Sequence, residues 1–120
     1  MFEAQLLIST GTDYVLYGPW MQRGGDNVRA TVDVVAKDTA SVTISLFTKN
    51  TEDTGDGTDA DNTVTLSGSS AGRTTAEWRS SSTKGPKELV RYRYTVSGTA
   101  GKWILFRMLA PIWWDSVGTT

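Results

Sequence analysis

A chain of 120 residues with 38% apolar content can bury about two-thirds of its unfolded surface around one core, which excludes a disordered chain and predicts a single domain spanning 1–120. A net charge of −1 and a pI near 5.3 remove the long-range field that gathers nucleic acid or anionic membrane. The absence of Cys and His excludes disulfides, thiolate chemistry, zinc–sulfur sites and histidine-based catalysis.

With 18 Thr, 11 Ser and 12 Gly against three Pro, the composition favours strands joined by tight turns. The segment Phe2 to Ser9 is the first expected strand. Glu3 stands where an export signal would be basic, and Leu6-Leu7-Ile8 is too short for a signal core. The N-terminus therefore reads as a cytoplasmic translation start, without signal-directed secretion. After the turn Thr10 to Asp13, Tyr14 to Tyr17 is a second strand, followed by Pro19-Trp20-Met21 and a turn at Gly24-Gly25-Asp26.

Val28 to Lys37 alternates most regularly, with Val28, Ala30, Val32, Val34 and Ala36 on one face and Arg29, Thr31, Asp33 and Lys37 on the other. Val42, Ile44 and Leu46 continue the alternation after Asp38-Thr39-Ala40, so 28–37 and 41–49 are expected to pair as a hairpin. Residues 50–62 carry five acids and only Ala60 as an apolar anchor, and read as a solvated loop. A short strand around Val64 and Leu66, a turn over 67–72, a strand from Arg73 to Arg79 and a polar loop over 80–87 follow. Leu89 to Ser97 sets Val90, Tyr92, Tyr94 and Val96 against Arg91, Arg93 and Thr95, and Lys102 to Leu109 is apolar on both faces. Seven or eight strands without helical periodicity predict an antiparallel two-sheet β-sandwich, with jelly-roll connectivity taken ahead of immunoglobulin-like.

Without His, and with the acids gathered in one loop or alternating with bases, no acid–base pair suits a hydrolase or glycosidase, and no catalytic residue is assigned. Asp53, Asp56, Asp59 and Asp61 are spaced as calcium prefers, but they lack the alternating ligands and terminal Glu of an EF-hand, so no cofactor is expected. Trp20, Trp78 and Trp103 read as core residues. Of the adjacent Trp113 and Trp114, one must face inward and the other outward. Arg91, Arg93 and Arg107 are expected on the outer faces of neighbouring strands, as a basic stripe or, more simply, paired with Glu77, Glu88 or Asp33.

The run from Trp103 to Trp114 is more apolar than one buried face needs, yet Arg107 and Pro111 interrupt it and it falls short of a membrane span. Either loops cover its second face or a partner does. Trp103, Leu105, Ile112, Trp113 and Trp114 are the candidate contact surface.

The Met start, the missing export signal, the absence of Cys and His, the abundance of Thr and the apolar terminal strand together resemble the small β-sandwich decoration and accessory proteins of tailed-phage capsids. That resemblance implies a structural protein that self-associates or attaches to a viral shell protein, located in a virion or a host cytoplasm; the charge and the lack of an apolar span already count against a membrane or sequence-specific nucleic acid as partner. The alternative is a carbohydrate-binding or lectin-like module that stacks a glycan on Trp20, Trp113 or Trp114, with calcium in the acidic loop.

Overall fold

The computed structural model describes residues 4–116, all-β and without a helix among them. Phe2 and Glu3, the expected start of the first strand, lie outside the described residues. Eleven strands form two antiparallel sheets. The first sheet contains β1 (Gln5–Ile8), β4 (Asn27–Lys37), β8 (Gly72–Trp78), β10 (Trp103–Met108) and β11 (Ile112–Trp114). The second contains β2 (Tyr14–Tyr17), β3 (Met21–Gln22), β5 (Ser41–Lys49), β6 (Thr58–Asp59), β7 (Leu66–Gly68) and β9 (Leu89–Ser97).

Several strands share one position. β10 pairs with residues 32–37 of β4 and β11 with 27–29, while β8 spans 28–34, so β10 and β11 occupy one edge of β4 and β8 the other. By the same reasoning β2 and β3 share an edge of β9, and β6 and β7 share an edge of β5. The layers then read β1, β10 with β11, β4, β8 in one sheet and β2 with β3, β9, β5, β7 with β6 in the other.

One apolar cluster joins the sheets: Val28, Ala30, Val32 and Val34 of β4 with Ile104, Phe106 and Met108 of β10 face Ile44 and Leu46 of β5 and Val90, Tyr92 and Tyr94 of β9. The Tyr94 and Phe106 rings lie 5.7 Å apart across the interior. Burial pushes the Tyr94 phenol up to about 12, and Tyr92 rises further, chiefly from burial with a smaller contribution from Tyr94. Trp78 is fully buried in the same core.

The expected hairpin between 28–37 and 41–49 does not form: consecutive β4 and β5 belong to opposite sheets. A two-residue hairpin turn needs positive φ, and residues 38–40 contain neither glycine nor a positive φ. Asp38 N–H instead continues the ladder with β10 by donating to the Trp103 carbonyl at 2.8 Å, and buried Ala40 carries the chain across the core.

Ala36 also departs from the expected alternation. A β-bulge inserts Val35 between the Val34↔Phe106 and Ala36↔Leu105 pairs, which turns Ala36 outward with Leu105 and sets Lys37 on the face of Ile104. Within the acidic segment, Thr58 and Asp59 pair with β5 as a two-residue strand, and the strand expected around Val64 begins at Leu66.

Candidate functional site

The apolar surface is concentrated on the outer face of the first sheet at its β1 edge. β1 is apolar on both sides: Leu7 packs against the core, while Leu6 and Ile8 point outward at 57% and 52% exposure. Opposite them in register stand Leu105 and Trp103, both half-buried on the same outer face. The bulge extends this surface one strand further, bringing Ala36 beside Leu105 and leaving Val35 52% exposed. Ser9 fixes the end of β1, with its N–H donating to the Lys102 carbonyl at 2.8 Å and its hydroxyl to the Gly98 carbonyl at 2.7 Å.

Beyond this surface the outer face turns ionic. Asp33 accepts from Arg107 Nε at 3.0 Å and meets Arg73 at 3.9 Å, and Glu77 pairs with Arg29 and Arg79, each at 2.7 Å. Those hydrogen bonds, Arg29 first, hold the Glu77 carboxyl below the usual range. Ile112, 58% exposed, and Trp114 lie past this ladder, Ile112 in register with Arg29.

Of the expected contact residues, the fold therefore joins Trp103 with Leu105. It sets Ile112 and Trp114 at the far end of the same face, roughly 25–30 Å away at ~3.3 Å per residue. Trp113 turns inward against the core, over Gly24, where a Cβ would come within 2.7 Å of the indole. Trp114 faces out with the Arg79 guanidinium 5.4 Å from its ring centroid. Leu6, Ile8 and Val35 were not among the expected residues; the signals for them were the unbroken runs Leu6-Leu7-Ile8 and Val34-Val35-Ala36, each apolar on both faces.

The outer face of the second sheet carries an aromatic and cationic cluster. Arg91, whose side chain is 12% exposed, has its guanidinium 3.9 Å from the Tyr17 ring centroid and 4.3 Å from that of Trp20, and donates to the Asp56 carboxylate and carbonyl, both at 3.1 Å. Lys49 also stands over Trp20, Arg93 lies over Phe47, and the Tyr17 and Phe47 rings meet edge to face at 5.9 Å. Trp20 and Trp103 thus occupy outer faces, and only Trp78 of the three expected core tryptophans is central. Arg107 lies on the opposite sheet from Arg91 and Arg93, so the basic stripe is divided between the two outer faces.

The acids of the 50–62 segment have separate partners. Asp53 accepts from the Asn50 N–H at 3.0 Å, closing its own turn, and Asp56 holds Arg91. Asp59 accepts from the Asp61 N–H, and its carboxyl is raised above the usual range, chiefly by burial. Asp61 is lowered by the Thr63 hydroxyl and N–H and by Lys84, 3.2 Å away. Among the described residues no three His, Cys, Asp or Glu side chains converge as a metal site. The open depression beside this loop, about 410 Å³, sets Asp53 and Asp56 among Lys49 and Lys87. Compared with models of protein families, with curated proteins and with solved structures, the chain matches none.

Proposed function

We propose that this protein is a non-enzymatic assembly protein acting through the apolar outer face formed by β1, β10 and the bulge of β4, and that its particular role is decoration or accessory support of a phage virion. The observation that carries the reading is the concentration of Leu6, Ile8 and Val35, each more than half exposed, beside Trp103 and Leu105 on one face. A contiguous apolar surface of this kind stabilises contact with another protein, because covering it removes the same area from water. Repeated over many copies, a modest contact of this area gives avidity that a single one lacks.

The connectivity supports the same reading. Pairing β1 with β10, β2 and β3 with β9, β4 with β8, and β5 with β6 and β7 fits one long hairpin rolled into two layers and supports reading the sandwich as a jelly roll. The proposal needs no metal or cofactor.

The test is the solution mass by light scattering over a concentration series. A discrete oligomer that persists on dilution is expected. A monomer at every concentration would overturn the self-assembling form of the proposal and leave attachment to a preformed shell.

A further inference from the structure

We propose that a second copy of this chain pairs antiparallel with the free edge of β1 across a two-fold axis at Leu7, extending the first sheet from one molecule into the next. This rests on the assembly reading and names the partner at that surface.

The backbone supplies the first argument. Ser9 directs both its N–H and its carbonyl towards the strand preceding β10, donating to Lys102 and accepting from Gly101 at 2.9 Å. Trp103 turns its carbonyl the other way, to Asp38 on the β4 side. Because successive residues alternate, Gln5 and Leu7 bond to β10, and Leu6 and Ile8 turn their N–H and C=O groups to the open edge, where the Ile8 carbonyl accepts from the Tyr14 hydroxyl at 2.8 Å and keeps its second lone pair. The same two residues carry the most exposed side chains of β1.

The other three sheet edges are less open. β8 carries Arg73 and Glu77, and β6 carries Asp59 and is separated from β7 by residues 60–65; β2 is uncharged, but residues 18–20, including Pro19, end it before β3, and its Val15 and Leu16 are less exposed, at 38% and 39%, than Leu6 and Ile8. Those are the devices by which natural sheets avoid edge pairing. β1, Gln-Leu-Leu-Ile, has no charge, proline or break.

Register supplies the third argument. A two-fold axis normal to the sheet preserves inner and outer faces, so directly opposed residues must share a face. Centring on Leu7 places Leu6 opposite Ile8 of the second copy, Ile8 opposite its Leu6, and Leu7 opposite Leu7. Both opposed Leu6 and Ile8 pairs then exchange N–H and C=O groups, four hydrogen bonds by antiparallel geometry, two of them to Ile8 carbonyls that also accept from Tyr14. On the outer face, Ala36, Leu105 and Leu6 of one copy run into Ile8 and Trp103 of the other as one apolar strip. No charge lies within β1 to oppose its own image, and a net charge of −1 makes long-range repulsion between copies small.

The cysteine-free chain allows a register-specific test. Leu6→Cys and Ile8→Cys proteins are oxidised separately and as a mixture, and wild type and Leu6→Lys are weighed by light scattering. Opposed Cα atoms lie ~5.5 Å apart, within disulfide reach, whereas two Leu6 or two Ile8 positions lie roughly 8–9 Å apart, so crosslinked dimer should exceed that of either variant alone by about ten-fold. Leu6→Lys, whose side chain points outward, should keep the wild-type circular dichroism and unfolding midpoint yet weigh as a monomer. A wild-type oligomer with no mixture-specific crosslink and an unchanged Leu6→Lys mass overturns the edge pairing and leaves the assembly reading standing. A wild-type monomer throughout overturns both the pairing and the self-assembling reading.

Discussion

The two outer faces manage similar apolar material in opposite ways. On the second sheet, the Arg91 and Arg93 guanidinium groups and the Lys49 ammonium lie against the rings of Tyr17, Trp20 and Phe47 as a cation–π cover. On the first sheet, Leu6, Ile8 and Val35 remain more than half exposed, and Arg107, in the adjoining strand β10, is held by Asp33. Arginines at alternate positions of β9 cover one face from within; their absence from β1 and the adjoining half of β10 leaves the other open to an outside cover.

The comparison can be tested by substitutions, starting with the core that both faces share. Phe106→Ala should destabilise the fold by about 3–5 kcal/mol in urea denaturation, since the ring touches Tyr94 across the interior and leaves a cavity. Raising the pH acts on the same core. Burial pushes the Tyr94 phenol up to about 12 from the ordinary tyrosine value of 10.0, so the unfolded chain releases its proton first. The stability present in full below pH 10 should therefore fall by about 2–3 kcal/mol as the pH rises to 12, and tyrosinate absorbance should appear together with loss of the strand signal in circular dichroism.

Arg91→Ala should cost about 1–3 kcal/mol by uncovering Tyr17 and Trp20 and releasing Asp56. Arg107→Ala, at a half-exposed pair, should cost less than about 1 kcal/mol in the same denaturation assay. Equal costs would contradict the view that only the second face is covered from within. Gly57 has φ +80°, and a Cβ there would come within 2.8 Å of both the Thr48 carbonyl and Trp20. Gly57→Ala should therefore lower stability by about 1–2 kcal/mol, and quenching of Trp20 fluorescence by iodide should increase. Val35→Thr should change stability by no more than about 0.5 kcal/mol while weakening association in sedimentation. A large stability loss there would mean that Val35 is covered by its own chain.

The strands were legible because alternation is local: Asn27–Lys37, Leu89–Ser97 and Trp103–Met108 lie close to their expected bounds. Their partners were less legible. Asp38-Thr39-Ala40 has a length that suits a hairpin, and the absence of a glycine was the one local hint that the chain crosses to the other sheet. The bulge at Val35 was hidden because a single inserted residue reverses the face of everything after it, and Val34-Val35-Ala36 is apolar in either phase. For the candidate surface, Trp103 and Leu105 followed from a strand apolar on both faces. Ile112 and Trp114 were separated from them by ion pairs made between strands distant in sequence. Leu6 and Ile8 fall within the expected first strand, Phe2 to Ser9, but outside the expected contact surface, because only their position beside β10 gives them their importance.

The pairing of β1 with β10, and of β4 with β11, also constrains the order of synthesis. A nascent chain can fold β5 onto β6 and β7 early, because these neighbours lie within residues 41–68. The first sheet must wait until residues 103–114 have left the ribosome, holding β1 and one side of β4 unpaired until then. Contacts between such distant segments slow folding and prolong exposure of apolar edges. A stalled or truncated product ending before Trp103 would thus retain the strands of the second sheet while leaving β4 open along one side, a species prone to aggregate and suited to recognition by chaperones.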